Sequence, residues 1–418
     1  MKRCQYGQLF MVCMLFLVAA CSNETRGVSL HTTPLPSRQA RQATPTAAQV
    51  EPGMQQALPK GLLNPKYPVM DWVFSITCGQ AINAYSSSQM QTAIAYDSAA
   101  WLYPSDGHLV EGWQDCDNAT LIRQARNQGL PALLTVGVDS HWSDQDLAQY
   151  IDQAASQAQV PCTSKATTYI CTIVNWAIAG GYTGVIIDFE SVKGDYPDIR
   201  MKFAMFMQEL QNALHQKGLL CGLTLIHKVS DRPEEDPSYL GNFFQDWKLL
   251  SKVDFLVVMV LDFDLSLKKP GPLTSIVWLD KQLDYLWQTM PQALNKTIFE
   301  FPLYGREWQQ DAQGKWHPIT DETCQQVDVQ KVSHTLLPDV STDATTPVIA
   351  WNDQSGNQHQ VWYDTPSSLV TIMAHLQEKA RGLLNNPHYE LPTSFWYRGA
   401  ECAHFFGPHN ALERFYNS

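Results

Sequence analysis

Two acids stand one residue apart near the middle of the chain, Asp188 and Glu190, in the stretch GGYTGVIIDFES from Gly180 to Ser191. Side chains on a strand alternate between its faces, so Ile186, Asp188 and Glu190 share one face while Val185, Ile187 and Phe189 take the other. The second set has the bulk to pack under helices, which turns the acids the opposite way. Two carboxyl groups that close cannot both ionise cheaply, so one keeps a proton near neutral pH and becomes a general acid. Acid–base chemistry on a polar substrate is what the pair can do; binding a neighbouring arginine or capping the next helix is the plain structural alternative.

Such a pair must be delivered by the elements around it. Apolar, β-branched runs recur at VMDWVFSI, TAIAYD, PALLTVGV, TGVIIDFE, LLCGLTLI, VDFLVVMVL, KTIFEFPLYG and TSFWYRG. Between them lie helical patterns, the clearest from Asp198 to Lys217, where Ile199, Phe203, Phe206, Leu210 and Leu214 fall at helical spacing and Gly218 stands ready to end the helix. A second helix begins at Ser143, with Asp146 three residues on as capping partner. Near-continuous apolar strands alternating with amphipathic helices describe a parallel sheet covered by helices. Eight such units favour an α/β TIM barrel over an open doubly wound sheet, and no GxGxxG follows a strand. In a barrel the strand ends carry the chemistry, which puts Asp188 and Glu190 at the mouth. The segment 309–360 breaks the rhythm with turn signals and short alternating runs, and reads as a small α+β insertion between the seventh and eighth strands.

The 418 residues carry a formal charge of −12 and no basic cluster beyond the first residues, which argues against a grip on nucleic-acid phosphates. Lys2, Arg3 and the apolar run from Leu9 to Ala20 form a secretory signal over 1–20. Its end, Val18-Ala19-Ala20-Cys21, resembles a bacterial lipobox, which would make Cys21 the lipidated first residue of an exported, membrane-tethered protein. Ser22 in place of Asp directs such a lipoprotein to the outer membrane where there is one. Residues 21–63, rich in Thr, Pro, Gln, Ala and Ser, read as the lipidated cysteine and a flexible tether, with the folded body over 64–418. Of the seven cysteines past Cys21, Cys162 and Cys171 flank a short polar loop and form the safest disulfide, and Cys221, inside an apolar run, is the choice for a free buried thiol. Cys78, Cys116, Cys324 and Cys402 leave their pairing open. With no CxxC pair and no close Cys/His cluster, no metal site is expected, and nothing calls for a cofactor.

The chain resembles glycoside hydrolase family 18, the chitinase-like barrels, and within it the spore-germination and cortex-lysis branch. The family's fourth-strand hallmark DxxDxDxE aligns with residues 183–190; Asp188 and Glu190 match, while Thr183 and Ile186 stand at the first two acids. VDFLVVMVLDFD matches the sixth-strand segment with Met259 and Asp262 in register, FPLYGREW matches the seventh-strand PxYGxxW with Tyr304 and Arg306, and Trp396 occupies the place of the eighth-strand tryptophan that floors the sugar subsite. The resemblance implies a retaining glycoside hydrolase on β-linked N-acetylhexosamine glycans, peptidoglycan or chitin-like. Glu190 would be proton donor, Asp188 would orient the 2-acetamido group, and Trp396, Tyr304, Asp262, Met259 and Arg306 would contact substrate. The acetamido oxygen, not a second enzyme carboxylate, would attack the anomeric carbon.

Leu261 stands where the family has a tyrosine donor to the acetamido carbonyl. Either another group, Tyr304 or Asp262, replaces it, or activity is reduced or absent. A catalytically silent glycan-binding lipoprotein and a structural envelope lipoprotein are therefore the alternatives to an enzyme. Trp72, Trp142 and Trp308 lie near strand ends and read as packing; His227 and Lys228 end the fifth strand, where His227 can line the cleft or serve as a structural hydrogen-bonder.

Overall fold

The computed structural model describes residues 57–73, 91–102, 108–111, 118–138, 142–157, 161–163, 168–190, 192, 196, 198–236, 238, 242–322, 324–335, 337, 346–396 and 415–416. The signal expected over 1–20, Cys21, the part of the expected tether up to residue 56, Cys78, Cys116 and Cys402 lie outside them. In chain order the strands are β1 (Val69–Val73), β2 (Gln91–Leu102), β3 (Leu109–Glu111), β4 (Ala132–Val138), β5 (Gly184–Asp188), β6 (Leu220–Leu225), β7 (Phe255–Met259), β8 (Thr297–Pro302), β9 (Gly305–Gln310), β10 (Trp316–Glu322), β11 (Val348–Asn352), β12 (Gln358–Tyr363) and β13 (Thr393–Trp396). The helices are α1 (Asn118–Asn127), α2 (Asp144–Ser156), α3 (Tyr169–Gly180), α4 (Ile199–His215), α5 (Trp247–Leu250), α6 (Phe263–Leu267), α7 (Ile276–Thr289), α8 (Cys324–Ser333) and α9 (Pro366–Leu384).

Strands β1, β2, β4, β5, β6, β7, β8 and β13 pair in parallel, and the β1–β2 pairing closes them into a TIM barrel. Only β3 departs, running antiparallel along β2. Alternation along each strand builds two apolar layers. Inside the barrel Met70, Trp72, Leu133, Ile186, Phe255, Val257 and Ile298 meet. Outside, Val185, Ile187 and Phe189 join Phe203, Phe206 and the other helix faces. Each fully buried side chain of this size stabilises by about 1.5–3 kcal/mol. The interior is tight: a Cβ on Gly222 would come 2.3 Å from the Phe255 ring, so only glycine fits across from Ile186.

Local signals start and stop the helices around β5. Ser143 and Asp146 form a reciprocal capping box on α2. Thr168 caps α3 through the Cys171 amide, and a Cys162–Cys171 disulfide ties that helix start to the preceding loop. Gly181 ends α3 at φ 76°, a conformation that favours glycine, and turns the chain into β5. Cys221 is free and buried. No described helix is long and apolar enough to cross a membrane.

Between β8 and β13 a four-stranded antiparallel sheet, in order β10-β9-β12-β11, extends from Gly305 to Tyr363 with α8 between its strands. It therefore begins inside FPLYGREW. Barrel strand β8 stops at Pro302, where the Leu303 amide donates to the Trp396 carbonyl at 2.7 Å, and Arg306 and Trp308 belong to the second sheet.

Candidate active site

Asp188 is the last residue of β5, and Glu190 follows at the C-terminal rim, exposed. Phe189 between them is fully buried on the outer side, its ring 6.0 Å from those of Phe206 and Tyr150. This aromatic anchor fixes the strand end, so the two acids leave it in a set direction. Asp188 is 9% exposed, and its Oδ1 accepts the Thr224 hydroxyl at 2.6 Å. Burial pushes its carboxyl up to about 6, and the Thr224 hydrogen bond pulls the other way.

The backbone around this pair is stapled by one side chain. Gln245, fully buried, donates from Nε2 to the carbonyls of Phe189 (3.3 Å) and Thr224 (3.1 Å), while its Oε1 accepts from the Ile226 amide at 2.8 Å. Strands β5 and β6 are thereby held together where Asp188 and Thr224 meet.

The positions that depart from the family pattern are apolar or turned away. Thr183 precedes β5 and spends its hydroxyl on the Ala132 carbonyl at 2.9 Å. Ile186 belongs to the barrel interior, in register with Thr135, whose hydroxyl has no hydrogen-bond partner among the described residues. Leu261 is 8% exposed and brings no polar atom.

Beside the mouth lies a dense polar seam to the second sheet. Asp262, in the left-handed region at φ 63°, accepts on Oδ1 from the Tyr304 hydroxyl (2.5 Å) and from Arg306 Nη2 (2.6 Å). Arg306 also donates from Nη1 to Asp264 and from Nε to Asp321, both at 2.9 Å, and Trp308 Nε1 donates to Asp264 at 2.9 Å. Arg306 is only 4% exposed. Its three donor nitrogens are engaged by carboxylates, so it braces Asp262 rather than reaching into the cleft. The Tyr304 hydroxyl is likewise committed to Asp262, and burial beside that carboxylate pushes its pKa well up.

Trp396 ends β13, half-buried, edge-on to Trp72 at 5.7 Å and beside Tyr304, Leu273 and Trp362. Met259 ends β7, opposite Glu300 of β8. Since Ile298 faces the interior, Glu300 two residues on faces it too. Trp72 and Trp308 are fully buried, and Trp142 donates to the Leu102 carbonyl at 2.7 Å. His227 lies 3.0 Å from the Ser266 hydroxyl and packs edge-on to Trp278. Burial pushes its imidazole down to about 4 against the pull of Asp262 and Asp236, so it is neutral at pH 7. Lys228 turns away from the mouth to Asp231 (2.7 Å) and the Gln245 carbonyl (3.2 Å). Among the described residues no His/Cys/Asp/Glu group is placed to hold a metal ion.

Sequence reasoning missed Thr224 and Gln245. Thr224 did leave a signal, a hydroxyl inside the apolar run LLCGLTLI at the parity of the interior residues Leu220 and Gly222. Gln245 left none, because its role depends on strands far away in the chain.

A closed parallel barrel with two acids at the rim of its fourth strand, and a small α+β domain after its seventh, defines the chitinase-like class of barrel. The chain belongs to the glycosyl hydrolases family 18, whose model matches residues 74–383. It is similar to the sporulation-specific glycosylase YdhD of Bacillus subtilis, 24% identical over 213 residues, 51% of this chain and 48% of that one. It is also similar to the cortical fragment-lytic enzyme of Bacillus anthracis, 24% identical over 282 residues, 66% of this chain and 60% of that one. The chain thus spans between 48% and 60% of the length of these two relatives. Its fold matches a chitinase structure from Chromobacterium violaceum with a TM-score of 0.64 at 21% identity, over 84% of this chain and 99% of that one.

Proposed function

We propose that this protein is a retaining glycoside hydrolase acting on β-linked N-acetylhexosamine glycans, with peptidoglycan as the first candidate and chitin-like oligomers as the second. The observation that carries the reading is the pair at the end of β5: one carboxyl buried and held by Thr224, the other exposed at the rim. Glu190 protonates the leaving glycosidic oxygen and then, as a carboxylate, takes a proton from the incoming water. Asp188 accepts the acetamido N–H and stabilises the positive charge that develops when the acetamido oxygen attacks the anomeric carbon. Trp396 offers a ring face to the apolar side of a pyranose.

The names of the relatives, one cortical fragment-lytic and one a chitinase, support a wall or chitin glycan. The lipobox-like end of the signal and the Thr/Pro/Gln-rich tether support an exported protein anchored through Cys21 to the cell envelope, facing that wall. One observation favours a second reading, a glycan-binding barrel without turnover: Leu261 and Ile186 present no polar atom where the family pattern carries a tyrosine and an acid. The test is to incubate the purified protein and Glu190→Gln with muropeptides and with chitooligosaccharides. Turnover by the wild type, lowered by roughly 100-fold or more in Glu190→Gln, supports the enzyme. Binding with equal, negligible turnover in both supports the second reading, and neither binding nor turnover supports a structural envelope protein.

A further inference from the structure

The family pattern surrounds the Asp188 position with acids on its own strand, and this chain has replaced them with Thr183 and Ile186. A buried carboxylate with nothing to hold it would be costly, and would be free to rotate. What stands against it instead comes from the neighbouring strand. Thr224 is fully buried, and its Oγ1 lies 2.6 Å from Asp188 Oδ1; among the described residues the one other acceptor within reach is the Ile187 carbonyl at 3.3 Å. The threonine is itself fixed, because Gln245 ties its carbonyl to that of Phe189, next to Asp188. Thr135, the hydroxyl on the opposite neighbouring strand, makes no hydrogen bond among the described residues, so the support is one-sided.

We infer that Thr224 is the positioning residue for Asp188, doing from β6 what an acid does from β5 elsewhere in the family. The inference rests on the proposed hydrolase reading for its catalytic meaning, but not for its geometry. By holding Oδ1, the Thr224 hydroxyl fixes the carboxyl rotation and leaves Oδ2 to accept the acetamido N–H. Because the hydroxyl donates, it also favours the ionised carboxylate that such an acceptor must be. Among the described residues the titratable groups at the mouth include Glu190 on the same strand end, His227 after β6, Asp262 after β7 with Tyr304 and Arg306 against it, and Glu300 on β8. The substitution replaces none of these residues, so the difference between variant and wild type, rather than either midpoint alone, reports the lost contact.

The experiment uses the full protein, Thr224→Val, Thr224→Ser and Asp188→Asn, with thermal unfolding of each as a check on folding. The Asp188 carboxyl is titrated by ¹³C NMR, its resonance assigned by its loss in Asp188→Asn. Thr224→Val is expected to raise the midpoint by about one pH unit and Thr224→Ser to restore it. An unmoved midpoint overturns the inference whether or not the protein hydrolyses anything. On a turned-over glycan, Thr224→Val should lower kcat at pH 6 about tenfold, shift the acidic limb upward by the same unit and leave KM within about twofold; Thr224→Ser should stay near wild type. In the Asp188→Asn background the valine should cost no further activity, whereas additive losses would overturn the inference. If Thr224→Val does not fold, Thr224→Ser and Thr224→Ala carry the same titration. Absence of turnover in the wild type counts against the hydrolase reading alone, since the NMR titration still decides this one.

Discussion

The mouth at Asp188 and the seam at Arg306 are built from the same residue types and treated oppositely. At the seam every charged group meets a charged or hydrogen-bonding partner, though burial still pushes the Asp264 carboxyl up to about 6 against the pull of Arg306 and Trp308. Arg306 faces three carboxylates, Asp262 also takes the Tyr304 hydroxyl, and Asp264 also takes the Trp308 indole N–H. At the mouth Asp188 has, among the described residues, the single hydroxyl of Thr224, with Ile186 on its own strand. A further acid extends the scale. Asp71 of β1 is 1% exposed, neither of its oxygens has a hydrogen-bond partner among the described residues, and burial pushes its carboxyl up to about 7. The difference teaches where this fold is braced: a dense network fixes one sheet against another, while the Asp188 carboxyl, on the proposed reading, keeps capacity for a substrate.

The comparison breaks most sharply at its saturated end. Arg306→Met should destabilise the protein by about 3–5 kcal/mol, because it leaves Asp262, Asp264 and Asp321 without their common cation. Urea unfolding checks this, and a loss below about 1 kcal/mol would remove the seam from the account. The unanswered end is tested with pH. A proton bound more tightly by the folded state makes Asp71 favour folding at low pH, and that contribution is lost as pH rises from its unfolded value, about 4, to its folded value, about 7. The slope is on the order of 1.4 kcal/mol per pH unit at most. Asp71→Asn should flatten it, so the variant gains on wild type between pH 4 and pH 8 in unfolding experiments; parallel curves would show that Asp71 has an undetected partner. The smallest effect separates the two regions directly. Tyr304→Phe should cost about 1.5–3 kcal/mol of stability through the lost bond to Asp262 and leave kcat within a few-fold. A kcat loss of about 100-fold or more with stability unchanged would instead assign the Tyr304 hydroxyl to the reaction, as the donor that Leu261 does not supply.

Much of the barrel was legible because its signals are local. Period-2 and period-3.6 patterns, the Ser143 cap and the glycine after Asp198–Lys217 depend on residues a few positions apart. The direction of Asp188 followed from Val185, Ile187 and Phe189, since strand parity is fixed by covalent geometry. The division of FPLYGREW was not legible, because the break after Pro302 depends on a hydrogen bond between Leu303 and Trp396, which are distant in the chain.

The sequence by itself determined an alternating α/β chain, the two acids at the end of its fourth barrel strand, the missing acids at Thr183 and Ile186 and the missing hydroxyl at Leu261, because these are matters of residue type and period. Only the tertiary structure decided which polar group meets each acid. Thr224 reaches Asp188 from another strand, Gln245 staples the two strands from a later loop, and Arg306 turns from the mouth to a three-carboxylate seam. Hydrogen bonds are made across space, and a linear pattern carries the donors without saying which acceptor each will meet.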